Sequence, residues 1–339
     1  MLEHLEKLCT LCGTSGNEKE VREYICSQID GKVAYNIDNL GNIIAFKLGK
    51  HTIDKKIMVC AHMDEVGMII TYINEDGTLI FSMVGGIDTS VVIGRQVLVG
   101  DRKTGGVVGS KAVHNLSADE RKSAPKQDSL FIDIGAGSKQ EAEKLVSLGD
   151  FAYFASEYVE LGGNKIKSKA IDDRAGCAIM LDLIEKELEY DTYFVFNVQE
   201  EVGLRGARTS AFNVQPDFAI VLETTTASDI PSVSGNKRVC ELGKGAVISY
   251  MDRATVYDRE LYKLATETAR ENNIPYQTKT MIAGGNDSGA IHVSAYGVKT
   301  TAISAPCRYL HSPSCVAEIA DIEACEKLTE SLISRLATL

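Results

Sequence analysis

Four runs in this chain, KIMVCA, TYFVFNV, FAIVL and TTAISA, are apolar almost throughout and strand-like in composition. Such runs fit strands buried within a largely parallel sheet. At or soon after the end of each stands a histidine or an acid. His62 and Asp64 follow the first, Glu200 and Glu201 the second and Glu223 the third, while His311 lies just beyond the fourth. A further cluster, Asp172 with Asp173 in AIDDRAG, stands immediately before a helical pattern. In an open parallel sheet, groups at the carboxyl ends of neighbouring strands face one crevice. Polar residues scattered along the chain can therefore meet in space.

The pattern changes character twice along the 339 residues. Residues 1–66 read as a helix, a hairpin-like NIDNLGNIIAFKLG and the strand ending at His62. From 67 to 163 come short β-branched runs, MIITYI, TLIFSMV, SVVIGRQVLVG, GGVVGSKAV, LFIDIG and FAYFASEYVEL, punctuated by glycine and aspartate, with one helical candidate, KQEAEKLVSL. That spacing predicts a small β-barrel or sandwich. From 164 to 339 helix and strand alternate again, ending in a helix over IEACEKLTESLISRL. The expected fold class is α/β. A discontinuous domain of 1–66 and 164–339, a mixed, largely parallel sheet flanked by helices, holds an inserted β domain over 67–163. Candidate site residues lie on both sides of the insert, and none is needed from within it.

A chain that is 44% hydrophobic and 24% charged has ordinary globular composition. Its net charge of -11 argues against a nucleic-acid surface and favours a small-molecule or peptide partner. No stretch reaches the roughly 18 uninterrupted apolar residues of a membrane span, and the N-terminus lacks the apolar core of a signal peptide, so no membrane partner is expected. Nine cysteines, spread without the dense spacing of a disulfide scaffold, suit a reducing compartment, and a cytoplasmic location is expected. Cys9 and Cys12 form a CxxC inside the first helical pattern with no second pair to complete a cage. Cys307 and Cys315 bracket His311, where a thiolate ligand is one reading and a buried thiol the other.

Residue chemistry gives each cluster two readings. His62 and Asp64 share one face of a strand, so a carboxylate can fix the imidazole tautomer and free the other nitrogen for a metal; a strand-end histidine with ordinary polar partners is the alternative. Adjacent Glu200 and Glu201 repel unless solvated, protonated or held by cations. Asp172 and Asp173 pose the same problem, and capping of the following helix accounts for only one of them. His4, His51, His114 and His292 sit in helical, turn or insert contexts and read as solvated or satisfied. Glycine pairs such as Gly85–Gly86 read as turn residues. There is no HExxH, GxxxxGK[ST] or GxSxG.

The segments AHMDEVG, SKAIDDRAGC, VQEEVGLRGA, VLETTTASD, GGNDSGAIH and PCRYLHSP resemble, in order and over nearly the whole chain, the signature stretches of the M42 metallo-aminopeptidases, the group that includes glutamyl and tetrahedral aminopeptidases and proteins labelled cellulase M. The resemblance implies two divalent ions per subunit, zinc or cobalt with manganese as a further option. Asp172 would bridge them, His62 and Glu223 would complete one site, and Glu201 and His311 the other. Glu200 would be the general base, and Asp64 the residue that orients His62. A cis peptide between Asp172 and Asp173, a PDZ-like inserted barrel that takes part in assembly, short peptide substrates and a homododecamer built from dimers are also implied. Glu223 and Asn286 stand where many members carry aspartate and threonine. Asp287 would support the pocket. Three other readings stay open: a related metallohydrolase such as an N-acyl-amino-acid deacylase or carboxypeptidase, an endoglucanase, and a non-catalytic scaffold. The absence of tryptophan weighs against a sugar cleft.

Overall fold

The strand Ile57–His62 is buried at every position, and the parity of its side chains explains why. Ile57, Val59 and Ala61 face one apolar layer, together with Phe194, Phe196, Ile220, Leu222, Ile303 and the helices Leu2–Thr10, Ile171–Glu185 and Ile319–Ala337. Met58 and Cys60 face the opposite layer, with Val195, Ala219, Val221 and the helix Arg205–Val214. Successive strand residues point to opposite faces, so a strand covered on both sides must be apolar at both parities. The computed structural model describes Met1–Leu339 without a break.

The larger sheet runs in the order Ala34–Ile37, Ile43–Lys47, Thr192–Asn197, Ile57–His62, Phe218–Thr226, Lys299–Arg308, Cys315–Glu318, Lys165–Ser168, Val159–Leu161. Its four central strands are parallel. Asn197 lies opposite His62 and Glu223 opposite Ser304, so the carboxyl ends expected to converge do so along one edge of the sheet. The short strands Ala246–Ile248 and Tyr276–Thr278 extend the sheet from Lys299–Arg308.

The inserted unit is a closed barrel of six strands in the order Gly67–Ile73, Leu79–Val84, Leu130–Asp133, Thr104–Ser110, Gln96–Val99, Phe151–Phe154. It has its own core, built on Met68, Ile70, Phe81, Val97, Val108, Ile132 and Phe154. Closure removes the unpaired edges that a small open sheet would expose. The larger sheet takes up the chain again at Val159–Leu161, within the last run of β-branched residues. The helix expected over KQEAEKLVSL is only the turn Lys139–Ala142. Beyond it only Val146 reaches the barrel core, while Leu145 and Leu148 are exposed, so little packing holds a longer helix, and short helices with little packing are marginal. The N-terminal segment carries two helices, Leu2–Thr10 and Lys19–Ile29. All nine cysteines are free, and no helix is long and apolar enough to cross a membrane.

Gly206 ties the fold to the turn that bears Glu200 and Glu201. A Cβ there would lie 2.3 Å from the Val198 carbonyl oxygen, 2.6 Å from the Val198 nitrogen and 2.4 Å from Asn42 Oδ1. Backbone atoms cannot retreat as a side chain can. We expect Gly206→Ala to cost about 2 kcal/mol, as overpacking does, measured from the shift in urea midpoint at unchanged slope.

Candidate metal centre

His62 ends its strand with both ring nitrogens committed. Nδ1 lies 3.2 Å from the Asp64 carbonyl oxygen and 3.4 Å from Asp64 Oδ1. Nε2 faces Asp172 Oδ1 at 3.3 Å and Glu223 Oε1 at 3.4 Å. A proton on Nδ1 directed to the Asp64 oxygens leaves Nε2 as the ligand nitrogen. Asp64 does more than orient the ring. Its carboxylate accepts from Ser15 Oγ at 2.6 Å and from the backbone nitrogens of Glu200 and Glu201 at 2.9 and 3.2 Å. One buried carboxylate thus fixes the turn on which both glutamates ride.

Asp172 and Asp173 divide the two readings of their pair. Asp173 Oδ1 accepts from the Gly176 nitrogen at 3.0 Å, capping the helix that follows. Asp172 is left free, with Oδ1 toward His62 and Oδ2 3.6 Å from His311 Nε2. His311 Nε2 also lies 3.3 Å from Glu201 Oε2. The peptide bond between Asp172 and Asp173 is cis. Asp173 lies close enough to His62 and Glu223 to form a compact group with them, but one of its oxygens is already taken by the cap. Glu223 reaches His62 despite its extra methylene, and the Thr224 nitrogen donates to it at 3.2 Å.

His311 is held by a loop and by the barrel. Its φ is +56°, and Ser312 Oγ and Cys315 Sγ bond the Tyr309 carbonyl oxygen at 2.7 and 3.4 Å. Cys315 therefore braces the histidine loop through backbone carbonyls. His311 Nδ1 is 2.7 Å from the carbonyl oxygen of Gly86, on the loop leaving the barrel strand Leu79–Val84. The ligand candidates all lie outside the insert, yet the barrel still takes part in the site, because one of its loop carbonyls fixes the His311 tautomer. Gly85, with φ +85°, packs against Val66 and Glu201, so this pair serves close approach as well as the turn. A backbone acceptor has no side-chain signature, which is why sequence reasoning passes over it.

Electrostatics follow from burial of many acids around two imidazoles. Burial alone would lower the His62 pKa, but Glu223, Asp172 and Asp64 outweigh it and hold the ring well above its usual value. Burial opposes His311 likewise, and Asp172 and Glu201 carry it up to about 10. Burial and Asp172 push Glu201 to about 7, and burial pushes Glu223 to about 8 against the pull of His62. Glu200 is raised well above its ordinary value by burial, only partly offset by His62. Asp172 goes the other way, since both histidines overcome its burial. In the metal-free protein, protons supply the positive charge that this set of carboxylates demands.

The residues fit divalent ions on independent grounds. Asp172 Oδ1, Asp173 Oδ2, Glu223 Oε2 and Asp287 Oδ1 are buried without a well-formed hydrogen bond, although buried polar atoms are nearly always paired. Two imidazoles among carboxylates form the nitrogen and oxygen donor set of a hydrolytic transition-metal site. Ligand atoms of His62, Asp172 and Glu201 lie within 4.8 Å of one another. Asp287 sits behind, held by Asn197 Nδ2 at 2.8 Å. The remaining histidines with hydrogen-bond partners find them elsewhere: His4 with Tyr24, His51 with Glu189 and His292 with the Ser288 carbonyl oxygen.

Against this geometry the comparisons are specific. The M42 glutamyl aminopeptidase family matches residues 41–328. The chain belongs to the M42 peptidase family. A protein of Acetivibrio thermocellus is 44% identical over 331 residues, covering 97% of each chain. The lysyl aminopeptidase of Pyrococcus furiosus is 32% identical, covering 98% of this chain and 97% of its own. The glutamyl aminopeptidase of Lactococcus lactis is 31% identical, covering 100% of this chain and 97% of its own. Among solved structures, a TET aminopeptidase from a marine-sediment Thaumarchaeota archaeon superposes with a TM-score of 0.94 at 33% identity, covering 99% and 96% of the two chains. The TET1 peptidase of Pyrococcus horikoshii, described as assembling into a tetrahedron or a large octahedral shell, gives 0.86 at 37% identity, with 98% of each chain covered. This M42 protein is accordingly an aminopeptidase, a hydrolase of peptide bonds.

Sequence reasoning also missed the brace beneath the site. Lys169 Nζ donates to Glu65 Oε1 and to the Leu11 carbonyl oxygen, both at 2.6 Å. Arg174 Nη1 donates to the Leu8 carbonyl oxygen at 2.5 Å, and its Nη2 lies 3.5 Å from Glu65 Oε1. All three side chains are buried, and they join the segments carrying Asp64 and Asp172 to the N-terminal helix. The signal was present as charged residues inside the otherwise apolar SKAIDDRAG and AHMDEVG. Removing one partner of a buried pair leaves an uncompensated charge, so Lys169→Met should cost about 3 kcal/mol, measured by chemical denaturation of the metal-free protein.

Proposed function

We propose that this M42 aminopeptidase is a dinuclear metal-dependent enzyme that releases N-terminal residues from short peptides. The observation that carries the reading is Asp172, whose two carboxylate oxygens face different histidines, His62 and His311. His62, Asp172 and Glu223 would hold one ion, and Asp172, Glu201 and His311 the other. Zinc and cobalt suit this donor set, and manganese is the further option. Bound there, divalent ions supply Lewis-acid polarisation of the scissile carbonyl and lower the pKa of water.

The chain's own residues perform the remaining tasks. Glu200 lines the cleft beside both histidines, while its backbone nitrogen is anchored on Asp64. It takes the proton of the attacking water and delivers it to the departing amine, as a general base that becomes a general acid. Asp64 holds His62 and the Glu200–Glu201 turn in one register, and the Gly86 carbonyl oxygen holds His311. A free substrate α-amine is a cation at neutral pH and is drawn to the carboxylate-rich end of the cleft, which favours unblocked peptides. The assembly described for the TET1 relative supports a homo-oligomer, a dodecamer built from dimers, with the barrel contributing contacts; light scattering should give a particle of that mass.

The decisive panel is a set of aminoacyl anilides, free and N-acetylated, offered to chelated protein and again after each ion is restored. Hydrolysis should vanish with chelation, return with zinc, cobalt or manganese, and be confined to free amines. Turnover of acetylated substrates would instead mark a deacylase. Activity on cellulose that survives chelation would mark a glycosidase. Glu200→Gln should retain metal by elemental analysis yet lose turnover by about two to four orders of magnitude, as loss of a general base does. Near-native turnover in that variant would remove Glu200 from its role.

A further inference from the structure

Residues 13–18 belong to the loop between the helices Leu2–Thr10 and Lys19–Ile29, and none of them lines the cleft. One of their side chains nevertheless reaches the middle of the site. Ser15 Oγ donates to Asp64 Oδ2 at 2.6 Å, and both side chains are buried. That length is the range of a hydroxyl bound to an ionised carboxylate, the stronger class of hydrogen bond. The inference drawn from it rests on the reading above in which Glu200 is the general base.

The loop is built to hold that hydroxyl still. The Ser15 nitrogen donates to the Glu65 carbonyl oxygen at 3.2 Å, and the Glu65 nitrogen donates to the Gly13 carbonyl oxygen at 2.9 Å. The Gly13 nitrogen adds a bond to Glu65 Oε1 at 3.1 Å. Residues 13–15 therefore run zipped along the segment that carries Asp64. Close approach is possible because Gly67 has no side chain: a Cβ there would lie 2.2 Å from Thr14 Oγ1. Beyond Ser15 the chain turns away at Gly16, with φ +92°, and the Gly16 nitrogen donates to buried Glu18 Oε1 at 2.7 Å.

Four donors surround the Asp64 carboxylate. Oδ1 accepts from the Glu200 nitrogen at 2.9 Å and faces His62 Nδ1 at 3.4 Å, while Oδ2 accepts from the Glu201 nitrogen at 3.2 Å and from Ser15. Three of the four belong to the groups that Asp64 positions, the ligand ring and the turn bearing the base. A carboxylate held only by what it positions is free to swing about its Cβ–Cγ bond, and ring and turn would swing with it. Ser15 is the donor from outside that set. We propose that Ser15 is a positioning residue for the reaction: by pinning Asp64 Oδ2 to a fixed loop, it sets through the same carboxylate the tilt of His62 and the placement of Glu200. A hydroxyl that merely satisfied a buried acid would stabilise the fold and leave turnover alone.

The test is a double-mutant cycle in the cobalt-loaded enzyme, with kcat taken per bound ion so that a smaller folded fraction cancels. Ser15→Ala should lower kcat on a free aminoacyl anilide by about tenfold to a hundredfold, the scale of losing an outer partner of a metal ligand, with little change in KM. Added to Asp64→Asn, the same substitution should change kcat by less than about twofold, because the group it acts through is already disabled. Native kcat in Ser15→Ala, a loss confined to KM, or losses that multiply across the cycle overturn the proposal. The cobalt absorption spectrum reads the same cycle without turnover: its bands should shift in Ser15→Ala and, in the double variant, coincide with those of Asp64→Asn. Bands unmoved by Ser15→Ala overturn the proposal. Glu200→Gln tells the two readings apart. Near-native turnover there removes the base on which the inference rests, whereas its loss beside an unimpaired Ser15→Ala sinks only the role of Ser15.

Discussion

The crowding of carboxylates around two imidazoles is the interaction on which the rest of this structure depends. Asp64, Asp172, Asp173, Glu200, Glu201, Glu223 and Asp287 approach one another in surroundings that exclude most water. Burial first, and the neighbouring like charges after it, raise the proton affinity of Glu200, Glu201 and Glu223. A fold can tolerate such a cluster only if positive charge is available to it. The ends of parallel strands put the acids there, and the sheet is rigid enough to keep them there.

Below the cluster lies the second half of the balance. Lys169 and Arg174 contribute two buried cations against the single carboxylate of Glu65. Both also bond carbonyl oxygens near the end of the first helix. The N-terminal segment is thereby locked to the segments that carry Asp64 and Asp172. Ser15 adds a direct bond to Asp64, so the opening residues of the chain belong to the architecture of the site.

Much of this was legible in the sequence, for reasons that can be named. The run KIMVCA reads as a doubly buried strand because both parities are apolar, and the spacing of β-branched runs after Gly67 reads as a barrel because each is too short for anything else. His62, Asp172, Glu201, Glu223 and His311 could be picked out as polar residues at the ends of such runs. Their assignment to one crevice required the resemblance as well as the pattern. What stayed hidden were groups whose role lies in the backbone or in burial: the Gly86 carbonyl oxygen, the cap made by Asp173 in place of Asp172, and the ion pairs of Lys169 and Arg174 with Glu65. Composition cannot distinguish a buried lysine from a solvated one. The KQEAEKLVSL helix stops early because beyond Ala142 only Val146 finds a place in the barrel core, while Leu145 and Leu148 stay exposed.

The bond from Gly86 to His311 has a mechanical meaning. Gly86 leaves a barrel with its own core, while His311 leaves the larger sheet, and a single contact of 2.7 Å spans the two bodies at the imidazole itself. A rotation of the barrel as a rigid unit would carry that acceptor with it, and the ring would turn or lose its anchor. Barrel and imidazole are thus kept in one register, and whatever displaces the first disturbs the second.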